Sequence, residues 1–194
     1  MALIPLSTEA RLRDPTKLGA RCHQCPLARD GKPVSPVFAS IPKRPVGVVV
    51  LEAPSKDDAT AGKALSGNVG SAFNDVLVQA RLRREDLIVI PAVCCTPPTK
   101  KDWKHLQKAV DACAGAFNKQ VEQHANLPVL ALGQWALYAW TGRRKAIDKA
   151  RGFVRDVKLR QMNDAGRDET VPSKADTSLD ESGELDETGD DGSA

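Results

Sequence analysis

The chain has 194 residues, 41% of them hydrophobic and 27% charged, an ordinary composition for one globular domain with a sizeable core. It has no apolar run long enough for a membrane span, and its first residues (Met-Ala-Leu-Ile-Pro-Leu) are too short an apolar stretch for a secretory signal, so a cytoplasmic protein is expected. The formal net charge of +3 hides a division: positions 161–194 carry eleven acidic and two basic residues, leaving 26 basic against 14 acidic before them, a net of +12.

A body that basic suits a polyanion such as DNA, because Lys and Arg release condensed counterions on neutralising phosphates. The plainer alternative is a solvated surface. The acidic tail is poor in apolar residues and cannot offset its ordering entropy by burial, which predicts disorder. The expected organisation is one domain over 1–160 and a tail over 161–194.

In chain order, the first feature is Cys22-His-Gln-Cys25-Pro. Val46 to Leu51 is a short β-branched run, the signature of a strand buried on both faces. Apolar residues at 73, 76, 77 and 80 predict a helix over Ser71–Arg81. Leu87–Val93 reads as a second buried strand, followed by Cys94, Cys95 and Thr96-Pro97-Pro98. A long helix is expected from Asp102, a candidate N-cap, to about His124, carrying Cys113. Val129–Leu132 is a third strand, Gln134–Trp140 a helix, and Phe153–Leu159 a last strand candidate. Such alternation predicts a parallel sheet covered by helices, with sites at the carboxyl ends of its strands.

Five cysteines in a chain with no signal argue for metal binding or buried thiols rather than disulfides. A Cys-x-x-Cys loop brings two thiolates to one centre, and distant cysteines can complete a four-sulfur set. Zinc usually takes two such loops; with the second pair on separate elements, the pattern tilts towards a [4Fe–4S] cluster, with zinc or plain buried thiols as alternatives.

The order Cys-x-x-Cys-Pro-Leu, a strand ending in Glu52-Ala53-Pro54, then Cys95-Thr96-Pro97-Pro98, then a helix cysteine resembles the family 4 uracil-DNA glycosylases. Leu132-Gly133 and Arg151-Gly152 match later positions of that family, so the resemblance covers roughly 19–152. It implies a three-layer α/β/α fold with a central parallel sheet. It also implies a structural [4Fe–4S] cluster on Cys22, Cys25, Cys95 and Cys113, leaving Cys94 as a buried thiol. Members flip a nucleotide out of the stack and cleave the base–sugar bond through a cationic sugar, using a carboxylate or positioned water and donors to the leaving base.

Carried over position by position, the resemblance makes Glu52 and Asp58 the candidate catalytic carboxylates. It puts Ala53, Pro54, Leu65 and Gly67 around the base. Glu52 has a second reading, a strand-end carboxylate capping a nearby turn. The chain also departs from the family. Leu51 and Ser55 replace glycines flanking the Glu-Ala-Pro motif, and Leu65 replaces a phenylalanine that stacks on uracil. Pro91 replaces the asparagine that reads the uracil edge, and proline offers no donor. None of His23, His105 and His124 precedes proline, so the family's His-Pro loop is missing.

Candidate phosphate contacts are Lys43 and Arg44, Lys100, Lys101 and Lys104, and Arg143, Arg144 and Lys145, with Trp103 a candidate for base stacking. Two functions follow. One is a DNA-binding iron–sulfur module with reduced or lost base excision, serving replication or repair alongside a protein partner. The other is an active glycosylase for uracil or another damaged base.

Overall fold

The computed structural model describes residues 14–99, 105–143, 152, 154 and 158–160. Three strands form one sheet: β1 Gly47–Leu51, β2 Leu87–Pro91 and β3 Val129–Leu132. Their order is β2-β1-β3, and both pairings are parallel, Val49 standing opposite Val89 on one side and Leu130 on the other. Parallel strands need crossovers, and helices supply them: α1 Lys56–Ala61 and α2 Asn68–Gln79 between β1 and β2, α3 Leu106–Val121 between β2 and β3, and α4 Gln134–Thr141 after β3.

Every residue of β1 and β2 is buried, so side chains alternate between two apolar faces. Val48, Val50, Ile88 and Ile90 face a core built with Val110, Phe117 and Trp140 of α3 and α4. Val49, Leu51, Leu87 and Val89 face the other way, against Phe73 and Leu77 of α2. Two cores on opposite faces of one parallel sheet make a three-layer α/β/α architecture. Burying each such side chain contributes about 1.5–3 kcal/mol. Trp140 is almost fully buried and meets Phe117 edge to face at 6.3 Å, so it is a packing residue, as its helical position suggests.

Element positions agree with the sequence to within a few residues. The predicted helix over 71–81 begins three residues earlier, and the long helix has a described span of Leu106–Val121, extended by a 3-10 turn over Glu122–His124. Its supposed cap, Asp102, lies outside the described residues. Of the last strand candidate, Phe153–Leu159, the described residues Val154, Lys158 and Leu159 lie in no strand, and the others fall outside the described residues. Arg160 instead ties this segment to α3 and α4. Its guanidinium donates to Asp111 Oδ1 at 3.1 Å, an oxygen that also accepts from Tyr138 Oη at 2.8 Å, and it lies 4.8 Å over the Tyr138 ring. The tail over 161–194 lies outside the described residues.

The N-terminal segment lies on α3 through backbone contact. Arg21 N–H donates to Ala112 O at 2.8 Å, and Gly19 packs its carbonyl directly against Gly115. A side chain at 115 would strike that carbonyl, so this helix position has to lack one. The consequence is local and large: Cys22 is brought beside the helix that carries Cys113.

Candidate functional site at the carboxyl ends of the strands

The loops that leave β1 and β2 are joined at the top of the sheet, where Thr96 Oγ1 donates to Ser55 O at 3.1 Å. Glu52, the first residue past β1, is half-buried, and its Oε1 accepts from Trp135 N–H at 3.0 Å. Trp135 is the second residue of α4, so Glu52 caps that helix from another element and lies where the helix dipole favours negative charge. Gly133 makes room for it. At φ 107° it takes a conformation that disfavours a side chain, and a Cβ there would stand 2.5 Å from Glu52 Cδ. The capping reading of Glu52 and the family's Leu-Gly position are therefore one device. Glu52 Oε2 makes no hydrogen bond among the described residues.

Asp58 is buried and has both oxygens engaged. Oδ2 accepts from Ser55 N–H at 2.9 Å and Oδ1 from Ser66 N–H at 2.6 Å, while Ser55 Oγ accepts from Asp58 N–H at 3.1 Å. It closes the capping box of α1 and ties the 62–67 loop to it. This geometry makes Asp58 a positioning residue for the loop. Ser55-x-x-Asp58 is a capping pattern legible in the sequence, and it is the signal that sequence reasoning passed over.

The four base-pocket candidates part company. Ala53 is half-buried against the α3–α4 core, and Pro54 is buried. Gly67 precedes α2 as its N-cap, with the Asp57 carboxylate lying against it. Leu65, expected to cover a base, is only 4% exposed and packs with Leu51, Phe73 and Leu77 in the α2-side core. Its φ of 57° is a left-handed conformation uncommon for leucine. Arg84 holds it there, donating from Nη1 to Leu65 O at 2.6 Å and from Nη2 to Ala64 O. Nothing in the local sequence announces Arg84, which reaches this loop from 19 positions away. Pro91 ends β2, buried and opposite Leu51.

The five thiols form no disulfide among themselves. Cys22, Cys95 and Cys113 are buried and Cys25 is half-buried. Burial pushes the Cys22 thiol up to about 11 and the Cys95 thiol up to about 12, with neighbouring thiols adding to the rise. Burial also raises Cys25. A hydrogen bond with Cys94, then burial, raises Cys113 well above the ordinary range. The Cys113 thiol adds to the rise at Cys22, Cys25 and Cys95. Val34 N–H donates to Cys95 Sγ at 3.3 Å, a donor suited to a sulfur that carries charge. Among the described residues, no three or more His, Cys, Asp or Glu side chains converge on a site for a single ion.

Lys100, Lys101, Lys104, Arg144, Lys145 and Trp103 lie outside the described residues, as does Arg151. Arg143 is exposed just past the end of α4, beyond the left-handed Gly142 that terminates the helix. Lys43 and Arg44 precede β1. His23 and His105 are exposed and His124 is half-buried.

A parallel three-layer fold with its loops gathered around a strand-end carboxylate belongs to the α/β proteins that place ligands at such edges. The family profile of the uracil DNA glycosylase superfamily matches residues 39–174, and the chain belongs to that superfamily. Its resemblance is to the type-4 branch. It is 28% identical over 133 residues to a type-4 uracil-DNA glycosylase of Thermotoga maritima, covering 68% of this chain and 67% of that protein. It is 29% identical over 89 residues to the Archaeoglobus fulgidus protein of the same name, covering 46% and 44%. A third relative of that name, from Pyrobaculum aerophilum, is 28% identical over 127 residues, covering 63% and 62%.

Proposed function

We propose that this protein is a DNA-binding iron–sulfur member of the superfamily in which base excision is reduced or lost, acting as an accessory module in DNA replication or repair. The observation that supports it most is the state of the groups around the expected base. Leu65 is packed into the core, Pro91 has neither amide side chain nor N–H, and Asp58 is engaged on both oxygens. A uracil edge facing these groups would lose polar partners, at a cost of about 1–3 kcal/mol for each buried group left unpaired.

The cysteines fit the cofactor. A single ion needs its donors close together, whereas a four-iron cube holds its thiolates further apart at its corners. All four candidate cysteines are free thiols, and Cys22 lies on the N-terminal segment that packs on the helix carrying Cys113, which supports this reading. Cys22, Cys25, Cys95 and Cys113 would hold the cluster, Val34 N–H would support the Cys95 sulfur, and Cys94 would stay outside the set. Once bound, the cluster supplies cross-links between the N-terminal loop, the end of β2 and α3.

Glu52 favours the second reading, an active glycosylase. Its Oε2 makes no hydrogen bond among the described residues, its orientation is fixed by Trp135 N–H, and the three relatives carry the type-4 uracil-DNA glycosylase name. A carboxylate so placed could hold a water or face a cationic sugar. The readings separate under single-turnover conditions, with anaerobically purified protein in excess over oligonucleotides containing one uracil. Binding without cleavage supports the accessory module. Cleavage that Glu52→Gln abolishes overturns it in favour of the glycosylase.

A further inference from the structure

A concavity lies beside the segment that covers the outer edge of β2; it shares Gly62 and Lys63 with the 62–67 loop but takes in none of Glu52, Leu65 and Pro91. The segment before β1 pairs with this edge through Ser40, whose N–H donates to Val89 O at 2.9 Å and whose carbonyl accepts from Val89 N–H at 3.2 Å. Between this segment, the end of α1 and the end of α3 lies an open groove of about 1060 Å³. Ser40, Ile41 and Lys63 also line an adjoining hollow of about 340 Å³, so the two form one track.

Its lining is chemically mixed. Phe38 presents a half-buried ring and Ile41 is 47% exposed. Lys63, from the end of α1, and Lys119, from the end of α3, both line it, together with Gln123 and His124. The Phe38 wall is held in place by Gln120, whose Oε1 accepts from Ala39 N–H at 2.9 Å while its Nε2 donates to Ala116 O at 2.8 Å. Charge on the track is uneven. Lys119 is paired with Glu122 at 3.2 Å, and Glu85 stands 3.6 Å from Arg83. Lys63 makes no ion pair among the described residues, and Arg84 in the adjoining hollow binds carbonyls, keeping its positive charge.

A fixed aromatic face beside unneutralised cations and amide donors, along a track rather than in a closed pocket, is the equipment of single-strand recognition: bases stack and phosphates are neutralised without sequence reading. We infer that the β2-edge groove binds single-stranded DNA, with Phe38 stacking on a base and Lys63 contacting a phosphate. The inference rests on the DNA-binding reading above and gives it a further surface, which meets the strand-end loops at Gly62 and Lys63 and leaves Glu52 outside.

The test is fluorescence anisotropy of the full chain with a labelled, uracil-free oligo-dT of about 12 nucleotides, within the roughly 4–16 nucleotide sites of stacking binders. Phe38→Leu keeps apolar volume and removes the π-face, and should weaken binding about tenfold, the stacking of one base. Lys63→Glu, at an exposed position that cannot unfold the core, should weaken binding and make the salt dependence shallower by about one unit of slope. Lys32→Glu, exposed and outside the groove, is the charge-matched control and should do neither. If wild type binds and both groove variants bind equally well with the same salt slope, the groove assignment is overturned while DNA binding stands. If wild type binds no DNA even at low salt, the DNA-binding reading fails and the groove with it.

Discussion

Glu52 holds two positions at once, helix cap and strand-end carboxylate, and variants can separate them. Glu52→Gln retains an oxygen to accept from Trp135 N–H, so stability should change little while any chemistry that needs the charge is lost. Glu52→Ala removes the cap as well and should cost about 0.5–2 kcal/mol in urea unfolding. A Gln variant as unstable as the Ala variant would show that charge, not the hydrogen bond, holds α4. Gly133→Ala should be worse than either, because its Cβ meets Glu52 at 2.5 Å in a backbone conformation with φ 107°. About 2 kcal/mol or more of destabilisation is expected. At this scale the sequence singled out Glu52 and offered a capping reading, but for a nearby turn, whereas the capped helix lies 83 positions away. It gave no sign that Leu65 turns into the core, because a left-handed leucine is imposed by partners distant in the chain.

Loops and helices are joined here by single contacts, which makes their contributions testable. Arg84→Ala removes two charge-assisted hydrogen bonds to the 64–65 carbonyls and frees Leu65 to leave its unusual conformation. Stability should fall by about 1.5–3 kcal/mol, with hydrogen exchange rising first in the 62–67 loop. Exchange spread evenly over the sheet would contradict this account. Gly115→Ala should lift the N-terminal segment from α3 and draw Cys22 away from Cys113, so iron content should fall well before the sheet unfolds. The strands were legible because unbroken β-branched runs have few other homes, and the helices because their apolar periods are clear. The close approach of two glycines across elements has no local signature.

For the whole molecule, the raised thiols tie stability to pH. In the metal-free protein the unfolded chain releases thiol protons from about pH 9, while the fold keeps them on Cys22 to about 11 and on Cys95 to about 12. The folded state therefore holds more protons in that interval, and stability, fully present below pH 9, should decline as pH rises through it. Denaturant midpoints at pH 8 and pH 10.5 would show the loss, and a Cys22→Ser/Cys95→Ser variant should show a shallower one. Iron-loaded protein should be brown, hold about four irons and melt at higher temperature than after chelation. Stoichiometric zinc without iron would sink the cluster assignment.

The sequence by itself determined the α/β alternation, the parallel sheet, the superfamily resemblance and the cysteines to watch, because periodicity and motif spacing are written along the chain. Only the tertiary structure decided what each polar group does. It gave Asp58 to a loop and Glu52 to a helix, put Leu65 in the core and opened a groove at the edge of β2. Hydrogen-bond partners and cavities arise where distant segments meet, and that meeting is set by how the two faces of the sheet are packed.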